Sequence, residues 1–282
     1  MDIQLAEQRI FALEERVPFE EIRQRAMDKR STAFGGGLGS ILQRPKPEDV
    51  TLVATQRRVD PFWHVACRAR YVYDRRREYS VQASGSEVRA VTVEEHRYEV
   101  ADGGRAPRTF ALQTTEHCVE EFRHEVFADG QNGQPVADGA TIVAGGQRLE
   151  IADPQILAAE ETIVVPPEHR ASFIIRQLLA EMLKPVQADR VEEEVLTLEA
   201  TDLYYRPVWA FEYHWKPKDK RGVVEIDAVT GQVRQGQSLM PALTRMVSRE
   251  AIFDIGADTI GLLVPGGSIA VKVARAALDK SY

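Results

Sequence analysis

Thr51-Leu52-Val53-Ala54-Thr55, five further residues and Pro61-Phe62-Trp63 are matched 146 residues later by Thr197-Leu198-Glu199-Ala200-Thr201, five residues and Pro207-Val208-Trp209. A constant offset from the first Thr to the Trp predicts two copies of one supersecondary unit. The matched residues are packing and turn types, so the match speaks to architecture and not to chemistry. After each Pro-x-Trp the chain alternates. Trp63, Val65, Cys67, Ala69, Tyr71 and Tyr73 fall on one face, with His64, Arg68, Arg70 and Asp74 on the other. Trp209, Phe211, Tyr213 and Trp215 oppose Glu212, His214 and Lys216. Period two with aromatic and β-branched residues predicts half-buried strands. Pro61, Trp63, Pro207, Trp209 and Phe211 are therefore expected in the core, each Pro at a strand's first residue, where no ladder donor is missed.

Both strands are expected to enter a basic turn, at Asp74-Arg75-Arg76-Arg77 and at Lys216 to Gly222, and to resume at Glu78–Val81 and Val223–Ile226. On the same offset, Ser84-Gly85 meets Thr230-Gly231 as a closing turn. Val17-Pro18 and Val165-Pro166 each open a helix-like stretch. The second starts at Pro166-Pro167-Glu168, stops at Pro185, and carries an apolar stripe from Phe173 to Leu183. The first runs from Phe19 to Lys29, with Ile22, Ala26 and Met27 on one side.

A helix, a hairpin and an Asp-x-x-Thr-Gly turn, here Pro207 to Tyr213 and then Val223 to Val233 with Asp227, Thr230 and Gly231, resemble the PepSY module. The resemblance covers about 168–236 and, more faintly, 18–90, where the Asp is missing. It implies a module, usually outside the cytoplasmic membrane, that binds or restrains partner proteins.

The expected fold is α+β. Two related helix-plus-antiparallel-hairpin modules bracket a β-rich insert, and a Gly-rich helical C-terminal segment follows. Boundaries are drawn at 1–49, 50–165, 166–236 and 237–282. Residues 1–16 are predicted helical from Ile3, Ala6, Ile10, Leu13 and Val17. Residues 31–49 are predicted to be a linker, Gly-rich from Gly35 to Ser40 and then Pro-rich. Val91–Val93, Arg97–Val100, Thr109–Leu112, Thr141–Val143 and Arg148–Ile151 are predicted strands, punctuated by Asp102-Gly103-Gly104, Asp129 to Gly133 and Gly145-Gly146. Leu239–Val247 is predicted helical.

The chain has 282 residues, ample for a sizeable core, and a formal net charge of −7, which argues against non-specific nucleic-acid binding. Met1–Glu7 has neither a basic n-region nor an apolar h-region, and Cys67 and Cys118 do not make a disulfide framework. Both observations predict a cytoplasmic setting. No Lys follows the Gly35–Ser40 loop in the manner of a phosphate cradle. His117, Cys118, His124 and Cys67 lack the spacing of a closed zinc site, and no nucleophile sits in a Gly-x-Ser-x-Gly turn. Glu192-Glu193-Glu194 reads as a solvated face.

The sequence thus predicts a protein without catalysis, metal or cofactor, one that binds a protein partner or regulates it. The basic clusters Arg75, Arg76, Arg77 and Lys218, Lys220, Arg221 are the candidate partner-binding residues. Self-association stays open. Two alternatives stand beside this reading. One is a peripheral membrane accessory using the basic turns with the apolar tail at 250–277. The other is a hydrolase or metal enzyme on an unfamiliar scaffold.

Overall fold

The computed structural model describes residues 2–34, 45–102, 104, 107–158, 162–183, 185–235, 249–254 and 272–275. Strands β1 (Asp2–Leu5) and β2 (Gln8–Leu13) open the chain, followed by helix α1 (Phe19–Lys29). Strand β3 runs through 33 residues, Val50–Gln82. A short hairpin, β4 (Ala90–Val93) with β5 (His96–Glu99), leads to β6 (Thr109–Asp129), α2 (Gly139–Gly145), β7 (Arg148–Ile151) and β8 (Ile163–Val164). Helix α3 (Ala171–Met182) precedes a second long strand, β9 (Arg190–Trp215). Strands β10 (Lys220–Asp227) and β11 (Val233–Gln235), helix α4 (Arg249–Phe253) and β12 (Lys272–Arg275) complete the described elements.

Ten of these strands form one mixed sheet. Its spine is β3 antiparallel to β9, from Val50 opposite Trp215 to Asp74 opposite Arg190. On its other edge β3 carries β8, then β6 over Phe62–Gln82. The outer edge of β9 carries β1 and β2, both parallel to it, and then β10. The protein is therefore mostly β, and the expected pair of helix-plus-hairpin modules around an insert is corrected. The two hairpins share one sheet, and β6, placed in the insert by sequence, is the return strand of the first hairpin.

The helices are exchanged between the hairpins. Helix α1 precedes β3 but buries Ile22 and Ala26 against Phe211, Tyr213, Val224 and Ile226 of β9 and β10. Helix α3 precedes β9 but buries Ile174, Ile175, Leu178 and Leu179 against Trp63, Val65, Cys67 and Ala69 of β3. Neither hairpin can close its core without the other half of the chain.

Three local expectations are also corrected. In place of the helix expected over residues 1–16, the described residues 2–16 form two strands and no helix. Ile10 fits a helical period, but β2 is an inner strand between β9 and β7 covered on both faces: Ile10 joins the core under α3, and Phe11 and Leu13 join Phe62, Ile142 and Tyr204 on the other face. Thr141–Val143 is helical within α2, because burial of Ile142 beside Phe62 and Tyr204 overrides β-branched propensity. Asp74–Arg77 is not a turn. It holds no Gly or Pro, and three of its four charges find a partner on β6: Asp74 takes a contact from His117 Nδ1 at 2.6 Å, and Glu116 receives Arg75 and Arg77. The strand runs on. At Lys216-Pro217-Lys218-Asp219, by contrast, a proline and a left-handed Asp219 (φ 49°) do end β9.

The prolines lie inside the strands, not at their first residues. Pro61 sits where the outer neighbour of β3 changes from β8, which ends opposite Val59, to β6, which starts opposite Phe62. Pro207 sits where that of β9 changes from β2, ending opposite Tyr205, to β10, starting opposite Val208. At both junctions no outer carbonyl awaits a donor, so the missing N–H leaves no gap in the ladder.

The expected helix at Leu239–Val247 and residues 35–44 of the expected linker lie outside the described residues, whereas the two ends of that linker form short 3-10 turns, Arg30–Phe34 and Pro47–Asp49. What is described of the tail is anchored. Ile252 and Phe253 are buried, and Phe253 meets Trp63 edge to face at 5.5 Å. Asp254 caps the start of α3, accepting from the Ser172 N–H at 3.1 Å and its hydroxyl at 2.7 Å.

Candidate functional site

Two turns of one design face each other at the middle of the sheet. Asp129 ends β6 opposite Phe62, and Asp227 ends β10 opposite Val208. Asp129 Oδ1 accepts from the N–H groups of Gln131 and Asn132 at 2.9 and 3.3 Å. Asp227 Oδ1 accepts from Val229 and Thr230 at 2.8 and 3.0 Å. Each turn closes on a left-handed residue, Gly133 (φ 69°) or Gly231 (φ 72°), a conformation that strains side chains carrying a Cβ. The proline carbonyls take part equally: Pro61 accepts from Gly130 and Pro207 from Ala228, both at 2.9 Å. The Gly130 carbonyl then accepts from Glu168 and His169 ahead of α3, and the Ala228 carbonyl from Arg16 and Val17 ahead of α1.

The counterpart of Asp227-Ala228-Val229-Thr230-Gly231-Gln232 is thus Asp129-Gly130-Gln131-Asn132-Gly133-Gln134. A constant offset placed it at Ser84-Gly85, because it took the two hairpins to be equally long. The shared Asp, Gly and Gln were the signal available in the sequence.

Between the turns lies a cluster of buried charge. Asp60 and Arg206 occupy matching positions before the two prolines and pair across β3 and β9. Arg58 donates to Asp60 at 2.8 Å and lies 2.7 Å from Glu225. Burial pulls the Arg58 pKa down, but Asp60 and Glu225 outweigh it and leave it raised. Arg234 donates to Asp60 at 3.0 Å. Arg206 is the loosely held member. Its terminal nitrogens are 3.5 Å from Asp227 and 3.9 Å from Asp129, and its Nε has no hydrogen-bond partner. Burial, with Arg234 beside it, pulls the Arg206 pKa below the ordinary guanidinium value. A cavity of about 260 Å³ opens here, walled by both turns, Arg206, Arg234 and Asp138. Its wall carries no Ser, Cys or His; its ionisable groups are the carboxylates of Asp129, Asp138 and Asp227 beside the guanidinium groups of Arg206 and Arg234, and the Oδ1 atoms of Asp129 and Asp227 are taken up by their own turns.

The second feature is a long arm. One face of β3 carries the aromatic stripe under α3. The other is an open lattice of cross-strand ion pairs. Arg70 meets Glu121 at 3.1 Å and Glu193 at 2.5 Å, and Glu199 meets Arg68 at 3.4 Å and Arg123 at 2.7 Å. Beyond Asp74, where β9 begins to pair, β3 and β6 continue alone as a two-stranded ribbon to Gln82 and Thr109.

The basic clusters expected at two turns are placed differently. Arg75, Arg76 and Arg77 lie within β3 on this ribbon, Arg75 and Arg77 turned to Glu116, and the Arg76 N–H donating to Asp189 at 2.5 Å. Lys218, Lys220 and Arg221 lie at the β9–β10 turn. Lys218 sits 4.8 Å from the Trp215 ring centroid, Arg221 pairs with Glu212 at 3.0 Å, and Lys220 is exposed. The structure does not bring the clusters together. They are separated by the paired length of β3, Val50 to Asp74, about 80 Å at 3.3 Å per residue.

Of the expected core, Pro61, Trp63, Pro207 and Phe211 are buried, whereas Trp209 is half-buried, with its indole donating to Glu15 at 3.3 Å. His117 and Cys118 point to opposite faces of β6, and among the described residues no group of three His, Cys, Asp or Glu side chains is placed to hold a metal ion. His64 stacks on Phe127 at 4.5 Å, 3.8 Å from Asp202, and its Nδ1 finds no hydrogen-bond partner. Asp202 is held instead by Arg9, at 3.0 and 2.9 Å. No helix among the described residues is long and apolar enough to cross a membrane.

Comparison with protein-family models, with curated proteins and with solved structures gives no match to this chain.

Proposed function

We propose that the protein is a non-catalytic binding or regulatory protein that presents its sheet to a protein partner. The observation that carries this is the arm. Strand β6 is held on one edge by β3, while from Phe110 to Val126 its other edge meets no strand among the described residues. A ribbon that adds little core but exposes backbone donors and acceptors is a recognition device. The likeness to PepSY modules belongs to the same proposal, and it is supported by an Asp turn in each half. A cytoplasmic setting is part of it too, favoured by two free cysteines, Cys67 buried and Cys118 half-buried. Separation of the basic clusters weighs against one flat membrane surface engaging both.

A photo-crosslinking residue at Val119 on the arm, and another at Val233 on β11, test the reading in cells that make the protein. A discrete protein adduct from Val119 and none from Val233 supports it. No adduct from Val119 contradicts it.

A further inference from the structure

We infer that the open edge of β6, between Phe110 and Val126, takes an extended basic segment of a partner protein as an additional antiparallel or parallel strand. The inference rests on the reading above and names its partner class. Its first support is regularity. Residues Thr109–Asp129 contain no Pro, Gly or Lys, and they pair with β3 in unbroken register from Phe62–Asp129 to Gln82–Thr109. Exposed edges are ordinarily short, or blocked by a bulge, a proline or a lysine, and strands ordinarily run about 3–10 residues. This edge has no bulge, proline or lysine and is longer than a typical strand; the charges it carries are mostly acidic and therefore select which strand can join it.

The second support is charge order across the arm. Between Arg68 and Glu78, β3 carries five arginines against two acids. Its neighbours are the reverse. Residues Glu116–Glu125 of β6 carry four glutamates against one arginine, and Arg190–Glu199 of β9 carry four glutamates against one arginine. An acidic, a basic and an acidic strand lie side by side, and the cross-strand ion pairs of Arg68, Arg70 and Arg75 follow from that order. The next strand outward from β6 is selected by the same rule and must be basic. A second copy pairing β6 to β6 would set four glutamates against four, so self-association by this edge is disfavoured.

The third support is apolar. Val119 is 60 % exposed and Phe122 42 % exposed, and they point to opposite faces of β6. An added strand with apolar residues beside them covers both, while its lysines or arginines reach Glu116, Glu120, Glu121 and Glu125. The inferred partner motif is therefore an extended stretch of alternating basic and apolar residues, without proline.

The test uses the full chain and a 12-residue peptide of alternating lysine and valine. An analogue of that peptide with every backbone nitrogen methylated has the same charge and no backbone donors on either edge. Expected are saturable binding, slowed amide exchange confined to alternate residues of Phe110–Val126, loss of binding on methylation, and weakening by about tenfold in the double variant Glu121→Lys, Glu125→Lys. Equal binding of the methylated peptide, or protection elsewhere in the protein, overturns the inference. So does concentration-dependent protection of the same amides without peptide, which would make a second copy the occupant. If the Val119 crosslink captures a partner through a segment that is not basic, the binding role stands and this inference falls.

Discussion

Trp63 and Trp209 stand at matched places in two strands of the same sheet, yet one is fully buried and the other half-exposed. Both follow a buried proline, and both lie beside an Asp turn with the same hydrogen bonds. What differs is what each half has built outward. Trp63 lies under α3, which buries six of its residues, donates to the His169 carbonyl at 2.8 Å, and is sealed by Phe253 from the tail. Trp209 lies beside α1, which buries only Ile22 and Ala26, and meets Phe19 at 4.5 Å. The first hairpin runs on for 21 paired positions, the second for eight. One frame thus carries a heavy core with a long arm on one side and a minimal core on the other. Function is sought in what the long half adds.

The largest effect expected from this asymmetry is at the tryptophans. Trp63→Ala should destabilise the protein by about 3–5 kcal/mol, as truncation of a buried aromatic does. Trp209→Ala should cost about 1–2 kcal/mol, because its ring is already partly hydrated. Urea denaturation compares them, and equal losses would break the contrast. Next is Phe253→Ala, expected to cost about 3 kcal/mol by uncovering Trp63. A near-neutral result in the same assay would mean the tail does not seal the first half.

The turns sharpen the comparison at smaller scale. Asp227→Ala should cost about 2 kcal/mol and Asp129→Ala about 1, since each loses two backbone hydrogen bonds but Asp227 is the deeper. The reverse order in thermal unfolding would mean that depth does not set the difference.

Alkaline pH sets the halves apart by chemistry. Burial pushes the Cys67 thiol, in the first half, up to about 12. In the unfolded chain it ionises near about 8.5. The unfolded state therefore loses its proton first, and Cys67 contributes stability that is complete below about pH 8 and falls as pH rises above that value. Burial raises Tyr213, in the second half, to about 12, which moves its share of the loss to higher pH, above the ordinary tyrosine range. Cys67→Ser should flatten the stability profile between about pH 8 and 10 and leave the higher-pH limb. An unchanged profile would contradict the burial. Smallest of all should be removal of the ribbon tip beyond Asp74. Most side chains there are exposed, so a two-residue connection should change stability by no more than about 1 kcal/mol, and the Val119 adduct should persist, because Val119 pairs with Val72 on the retained part of the hairpin.

Much of the frame was legible. Alternation after Trp63 and Trp209 gave the strands, and Pro-bounded apolar spacing gave α3 to within a few residues. The lengths were not legible. Arg75-Arg76-Arg77 reads as a solvated turn until Glu116 is seen opposite, and nothing local to either strand announces that pairing. Nor does local pattern separate helix from strand at Ile3 to Leu13, where burial on both faces of β2 erases the period. Exchange of the helices is invisible, because an apolar stripe does not name the sheet it will cover. Arg206 escaped notice because a lone arginine before a proline carries no motif. Its significance comes from Asp129 and Asp227, brought to it by the two hairpins.

The central claim is that the two hairpins are one sheet closed by exchanged helices, and not two modules in series. Native-state hydrogen exchange under graded denaturant tests it most directly. The account predicts that β3 amides around Trp63–Ala69 and β10 amides around Val223–Ile226 open together, with one free energy equal to that of global unfolding. Opening of β10 with α1 at lower denaturant, while β3, β6 and α3 stay protected, would contradict it.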